Sequence, residues 1–308
     1  MKKPPVDENE RHKRWKFGQN FLIDEGVIRQ ITDDVPCGPG DWVVEIGPGQ
    51  GALTRRLAAR CGRISVLEID PKWVEHLEKK TDWGNLQVIR ADATRVDVEE
   101  LLAIQAPAPG AKPLVVGNLP YNRAAPILFR FVPFIGRFRS MHIMVQYEVA
   151  KRISAKPHTR DFGFLSVFIQ NYATAELRLK ISPEAFRPRP KVLSATVALT
   201  ARTAPLTTDP LFLPFVKQAF SQKRKKLTNS LMPFYPRLQV VSALDAQGIN
   251  PDSRAEDLSV ENFVALFARL GPPVLAGGTL GGEGTGSGTE TIDSLEDPLA
   301  PTGESPGG

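Results

Sequence analysis

Asn118-Leu119-Pro120-Tyr121 follows the apolar run Leu114-Val115-Val116 and gathers at one turn the groups that can hold a planar amine. Asn118 offers a carboxamide oxygen. Pro120 has no N–H, which leaves the Leu119 carbonyl exposed. Tyr121 supplies an aromatic plate. Hydrogen bonds from an exocyclic amine to the Asn118 oxygen and the Leu119 carbonyl favour a more pyramidal nitrogen and aim its lone pair to one side. Group transfer to that nitrogen then rests on orientation and electrostatics. Stacking on Tyr121 is worth about 1–3 kcal/mol per base, comparable to the few kcal/mol required to extrude a base from its neighbours.

Upstream, Glu45-Ile46-Gly47-Pro48-Gly49-Gln50-Gly51 lies between an apolar run and a helical pattern, where glycines let the backbone approach a ligand at a helix start. The spacing G-x-G-x-G differs from the dinucleotide fingerprint G-x-G-x-x-G. The next apolar run ends in Glu68, whose carboxylate can accept both hydroxyls of a ribose. The third leads into Ala91-Asp92-Ala93, where Asp92 can accept from an adenine amino group while its small neighbours admit the ring. Three such groups at successive strand ends form a nucleoside site. No phosphate-gripping lysine accompanies the loop, so S-adenosylmethionine fits better than NAD or ATP. A second aromatic, Phe186, sits among three prolines and the cations Arg187, Arg189 and Lys191 in residues 182–192. It is a candidate to close on the base face opposite Tyr121; the alternative is a buried loop anchor.

The elements that must position these groups alternate. Apolar runs at 42–46, 64–68, 86–89, 114–117 and 141–145 read as strands. Residues 24–31 (capped by Asp24), 53–59 and 72–79 read as helices. Short apolar strands separated by helices imply a mainly parallel sheet covered on both faces. Residues 106–113 (APAPGAKP) form a surface loop. Further on, 163–171 reads as a helix, 176–181 and 194–199 as strands, 200–210 as a linker, and 214–231 and 260–270 as helices of a smaller domain. The run Gln222-Lys223-Arg224-Lys225-Lys226 falls within the pattern at 214–231. Its apolar stripe is Val216, Phe220, Leu227 and Leu231, and Lys223 projects near that stripe. Lys223 is predicted to snorkel and, with Arg224, Lys225 and Lys226, to touch nucleic-acid phosphates.

The chain has 308 residues, 42% of them hydrophobic, enough for one large core and a smaller one. No stretch approaches the apolar length of a membrane span, and the N-terminus lacks a signal peptide's apolar core. Two cysteines, Cys37 and Cys61, suit a reducing cytoplasm and provide neither a disulfide framework nor a metal cluster. No metal is expected. From Gly271 onward there are six acids and no Lys or Arg, so the overall net charge of +5 understates how basic the remainder is. A body that basic favours a polyanion such as nucleic acid.

Taken in order, Phe17-Gly18-Gln19-Asn20-Phe21-Leu22, EIGPGQGALT (45–54), Leu67-Glu68-Ile69-Asp70, ADA (91–93), GNLPYN (117–122), Gln146 with Glu148-Val149, PRPKVLSATV (188–197), AFSQKRKKLTNSL (219–231) and RAEDLSVENF (254–263) resemble the rRNA adenine N6,N6-dimethyltransferase family. The likeness is to the bacterial small-subunit (KsgA-type) branch and covers about residues 16–270. It implies a Rossmann-like α/β fold: a mainly parallel seven-stranded methyltransferase sheet with helices on both faces, plus a small all-α C-terminal domain. The implied division is a flexible extension (1–15), an S-adenosylmethionine-dependent methyltransferase domain (16–203), a helical RNA-binding domain (204–270) and a disordered acidic tail (271–308). Asn20 and Leu22 would cover the cofactor, with Gly47, Gly49, Glu68, Ile69, Asp92, Ala93 and Asn118 completing its site. The implied reaction is dimethylation of two adjacent adenosines in the 3′-terminal hairpin of 16S rRNA, on an assembling small subunit, by a cytoplasmic monomer. Two rivals are an Erm-type large-subunit rRNA methyltransferase and a mainly non-catalytic assembly checkpoint factor. The chain departs from the family at Tyr147, where Lys is frequent, and at Phe162-Gly163-Phe164, where Tyr-Gly-Arg is common.

Overall fold

The computed structural model describes residues 19–80, 83–222 and 225–273. The expected N-terminal extension, Phe17-Gly18, Lys223, Arg224 and nearly all of the acidic tail lie outside the described residues. In chain order the elements are β1 (Phe21–Leu22), α1 (Glu25–Asp34), β2 (Trp42–Ile46), α2 (Ala52–Ala58), β3 (Arg63–Glu68), α3 (Pro71–Glu78), β4 (Leu86–Arg90), α4 (Val98–Gln105), β5 (Leu114–Asn118), α5 (Ala124–Phe131), β6 (Ser140–Gln146), α6 (Tyr147–Ile153), α7 (Phe164–Tyr172), β7 (Ala173–Ile181), β8 (Phe186–Arg187), β9 (Ser194–Ala201), α8 (Phe212–Ala219), α9 (Leu227–Leu231), α10 (Arg237–Asp245) and α11 (Val260–Leu270). No described helix is long and apolar enough to cross a membrane.

The chain forms two compact units. The first combines residues up to Ala150 with Glu176–Ala201. Its seven-stranded sheet has the order β4-β3-β2-β5-β6-β9-β7. The strands from β4 to β6 are parallel, and β9 runs antiparallel to β6. All five residues of β2 are buried, as expected for a central strand covered on both faces, whereas no residue of edge strand β4 is fully buried. Helix starts follow local chemistry: Asp24 caps α1 by accepting from the Val27 N–H, and Asp97 caps α4 by accepting from Glu100. Both neighbours of β2 run parallel to it, and the chain crosses from the β3 side to the β5 side, so the sheet's switch point lies between β2 and β5. Ligands bind α/β sheets there, beyond the carboxyl ends of the strands. Gly117 permits the close approach: a Cβ on it would stand 2.8 Å from the Ile46 carbonyl oxygen.

The second unit takes in Lys151–Ala175 as well as residues from Arg202 on, so it is larger than the expected 204–270. The reason is α7, which buries Leu165, Ser166, Val167, Phe168, Ile169 and Asn171. Val167, with Phe162 and Ala155, joins the cluster built on Phe215, Phe263 and Leu266. One expected helix does not exist as such. Residues 214–231 divide into α8 and α9, because the Leu227 N–H is taken by the Ser253 carbonyl at 2.8 Å and Lys226 is extended (φ −57°, ψ 143°). The Lys225 and Lys226 side chains therefore leave from a turn and not from a helix face. The expected linker also starts later, since β9 continues to Ala201.

Candidate active site

The carboxyl ends of β2, β3, β4 and β5 open into one cleft, about 940 Å³ including the solvent at its mouth. It is lined by Asn20, Leu22, Gly47, Gly49, Glu68, Ile69, Asp92, Ala93, Asn118, Leu119, Pro120 and Tyr121, which brings every one of those sequence-predicted residues together. Gly49 has φ +54°, and a Cβ on it would meet the Phe21 ring at 3.0 Å, so the loop at this point accepts only glycine comfortably. Glu68 holds that loop. Its Oε2 accepts from the Gly49 N–H at 3.0 Å, and its Oε1 accepts from Ile69 and Asp70, both at 2.9 Å. Burial pushes the Glu68 carboxyl above its ordinary pKa, against the lowering pull of those amides. Three of roughly four acceptor positions on the carboxylate are thus engaged by backbone. The expectation that Glu68 accepts two ribose hydroxyls has to be narrowed to the one position left on Oε2.

Asp92 is likewise engaged, at both oxygens and more heavily at Oδ1. Oδ1 accepts from the Thr94 N–H at 2.9 Å and hydroxyl at 2.7 Å, while Arg123 Nη1 lies 3.2 Å from Oδ1 and 3.1 Å from Oδ2. Burial alone would raise this carboxyl; the Thr94 donors and Arg123 more than reverse that and lower it. Arg123 also lines the cleft, and nothing in its spacing marked it out. Glu45 was likewise not singled out, although an acid within the apolar strand WVVEI was the available signal. It is 2% exposed and lines the cleft floor. The Thr54 hydroxyl lies beside it without completing a hydrogen bond, and both Glu45 Oε2 and Thr54 Oγ1 are buried and unpaired. Burial pushes the Glu45 pKa up to about 8; the nearby Thr54 hydroxyl pulls against that rise and the charge of Glu68 adds to it. An orphaned acceptor in a cleft with a glycine cradle fits a ligand that carries a cationic donor.

At the turn, Asn118 Nδ2 donates to the Asn20 carbonyl at 3.0 Å, which leaves the side-chain oxygen as the acceptor. The Leu119 N–H donates to the Met144 carbonyl at 3.0 Å. Tyr121 hydroxyl and Ser194 Oγ are 2.5 Å apart, and burial raises the phenol's pKa so that it stays protonated. The Asn20 segment is a strap held from two sides: Phe21 meets the Trp73 ring edge-on at 5.2 Å, and β1 pairs antiparallel with β8, Leu22 opposite Phe186.

That pairing favours the alternative reading of Phe186, a buried loop anchor, over a second plate. The ring is fully buried, in a cluster with Leu22, Ile28, Ile181 and Ala185, and does not line the cleft. Its neighbours Arg187, Arg189 and Lys191 are exposed; Arg189 pairs with Glu184. In the second unit Lys225 and Lys226 are exposed, with Lys226 Nζ 2.6 Å from Asp252. Among the described residues no group of three or more His, Cys, Asp or Glu side chains is arranged to hold a metal.

The family model for ribosomal RNA adenine dimethylase matches residues 10–271. The chain belongs to that family. Curated relatives agree: a ribosomal RNA small subunit methyltransferase A from Moorella thermoacetica is 39% identical over 261 residues, covering 82% of this chain and 91% of its own. One of the same name from Herminiimonas arsenicoxydans is 40% identical over 258 residues, covering 83% and 98%. Among solved structures, the 23S rRNA methyltransferase ErmE is 29% identical with a TM-score of 0.61, covering 82% of this chain and 99% of its own. A dimethyladenosine transferase from Plasmodium falciparum, at 21% identity and TM-score 0.67, covers 80% and 96% and shares the fold. Family members are S-adenosylmethionine-dependent rRNA adenine dimethyltransferases, and the cleft has the acceptors and the glycine cradle that such a methyl donor requires.

Proposed function

We propose that this protein dimethylates N6 of two adjacent adenosines in the 3′-terminal hairpin of small-subunit (16S) rRNA during subunit assembly in the cytoplasm. The observation that carries the reading is the turn at 118–121, whose acceptors and ring share one cleft with Glu68, Asp92 and the glycine loop. Bound S-adenosylmethionine supplies a methyl already activated on a sulfonium, so neither a metal nor a strong general base is called for. The protein's part is to position. Asp92 Oδ2 and the free position on Glu68 Oε2 face a nucleoside, and Glu45 offers a carboxyl to a cationic group. Asn118 Oδ1 and the Leu119 carbonyl accept from the adenine amine and direct its lone pair, while Tyr121 stacks on the ring. Arg187, Arg189, Lys191, Lys225 and Lys226 supply phosphate contacts, with Lys223 and Arg224 from the same basic run. Identity of 39–40% to the small-subunit enzymes against 29% to ErmE favours the small subunit over the large.

The test offers labelled S-adenosylmethionine with unmethylated small subunits, large subunits and naked rRNA, followed by mapping of the modified nucleotides. Small-subunit labelling at paired adenosines is expected. Labelling of large subunits alone would overturn the proposal.

A further inference from the structure

The family's target turn uses Tyr121, and a second aromatic stands at the same end of the sheet. In the β6–β9 ladder Gln146 stands opposite Ser194, the residue whose hydroxyl meets Tyr121. Tyr147 follows at once, and its N–H donates to the Leu193 carbonyl at 2.9 Å. Tyr121 and Tyr147 therefore flank the same end of β9. Tyr147 is half-buried, and the exposed Lys180 from β7 places Nζ 4.8 Å from its ring centroid. Beside them Val192 is 45% exposed and Lys191 is exposed. Aromatic, cation and apolar surface thus succeed one another along this rim, the combination that single-stranded nucleic acid requires.

We infer that the Tyr147 ring, with Lys180 beside it, is a stacking platform for the nucleotide next to the target adenosine. The inference rests on the reading of the substrate as rRNA adenosine. Drawing one base out of a stack strips its neighbour of a stacking partner, and a second plate restores that contact. The Lys180 ammonium over the half-buried Tyr147 ring marks the ring face that an exposed side chain reaches. A base stacks there more strongly than a hydrated surface ammonium does, and the displaced Lys180 is left free for the phosphate of the same nucleotide.

Steady-state methylation of the rRNA particle that the wild type labels tests this with three variants. Tyr147→Phe keeps the plate and should hold KM for the particle within about twofold. Tyr147→Leu should raise that KM about tenfold while kcat and S-adenosylhomocysteine affinity stay within about twofold. Lys180→Met should lower the salt slope of particle binding by about 0.7, one phosphate's share. Equal KM values for the Phe and Leu variants would overturn the inference. So would a Leu variant that loses cofactor affinity and thermal stability together, which marks a purely structural ring. A wild type that labels no rRNA would instead sink the functional reading beneath it.

Discussion

Residues 118–121 and residues 182–192 are both proline-containing turns with one ring at their centre, and the fold treats the two rings oppositely. Tyr121 stands on the cleft wall with its hydroxyl against Ser194, while Phe186 is sealed among Leu22, Ile28, Ile181 and Ala185. The polar groups around the first turn are left partly unanswered: Asn118 keeps its acceptor oxygen, and Glu45 Oε2 is buried without a partner. Around Phe186 the loop is tied to the strap, since β8 pairs with β1 and the Ala185 carbonyl accepts from the Ile23 and Asp24 amides. The difference teaches where a ligand is awaited. It is awaited where the fold has placed polar groups and not satisfied them, and the loop with Phe186 serves by fixing the strap that borders that place.

The strongest way to break this comparison is Phe186→Ala. If the ring is core, its removal leaves a cavity and should destabilise the protein by about 3–5 kcal/mol, read as a fall in denaturant midpoint. An unchanged midpoint with lost activity would place the ring in the reaction instead. Glu45→Gln probes the unanswered side. Wild-type Glu45 has a folded-state pKa of about 8, above the ordinary 4.5, so its contribution to stability is fully present below pH 4.5 and is lost as pH rises towards 8. The Gln variant should match the wild type near pH 4.5 and exceed it by about 3 kcal/mol at pH 7 without ligand. S-adenosylmethionine, which brings a cation, should narrow that gap; a pH-independent difference would remove Glu45 from the argument.

Asn118→Ala sharpens the comparison at the turn itself. Losing a preorganised polar group should lower kcat about 100-fold, or about 2.7 kcal/mol, with stability little changed. A variant that loses stability and retains kcat would show the carboxamide to be a strap tie through Asn20 and nothing more.

How far the sequence reveals each region follows from the range of the forces involved. β2, β3 and β5 are apolar runs bounded by Gly, Asp or Pro, and they form within about a residue of their expected limits because burial on both faces is a local signal. The cleft was legible for the same reason, since its groups sit at consecutive strand ends. Phe186 was not, because its burial depends on Leu22, far away in the chain. The break between α8 and α9 depends on the Ser253 carbonyl, and the pairing of Arg123 with Asp92 joins the start of α5 to the turn after β4, 31 residues away in the chain. Glu45 was visible as an acid in a buried strand, but only the folded environment shows that its oxygen lacks a partner.

The finest test concerns the single contact that keeps Tyr121 at the cleft wall. Ser194 is fully buried, so Ser194→Ala removes the hydroxyl's partner without exposing new surface. One neutral hydrogen bond is worth about 1 kcal/mol, so KM for the rRNA particle or kcat should change about fivefold. Tyr121→Phe should give a change of similar size, because it removes the other half of the same contact while keeping the ring for stacking. The double variant then decides between two roles for the phenol. If the hydroxyl acts only through Ser194, the double variant is no worse than either single one, since both substitutions delete one interaction. If the two losses add, the Tyr121 hydroxyl meets the substrate independently, and the turn contributes a polar contact as well as a plate.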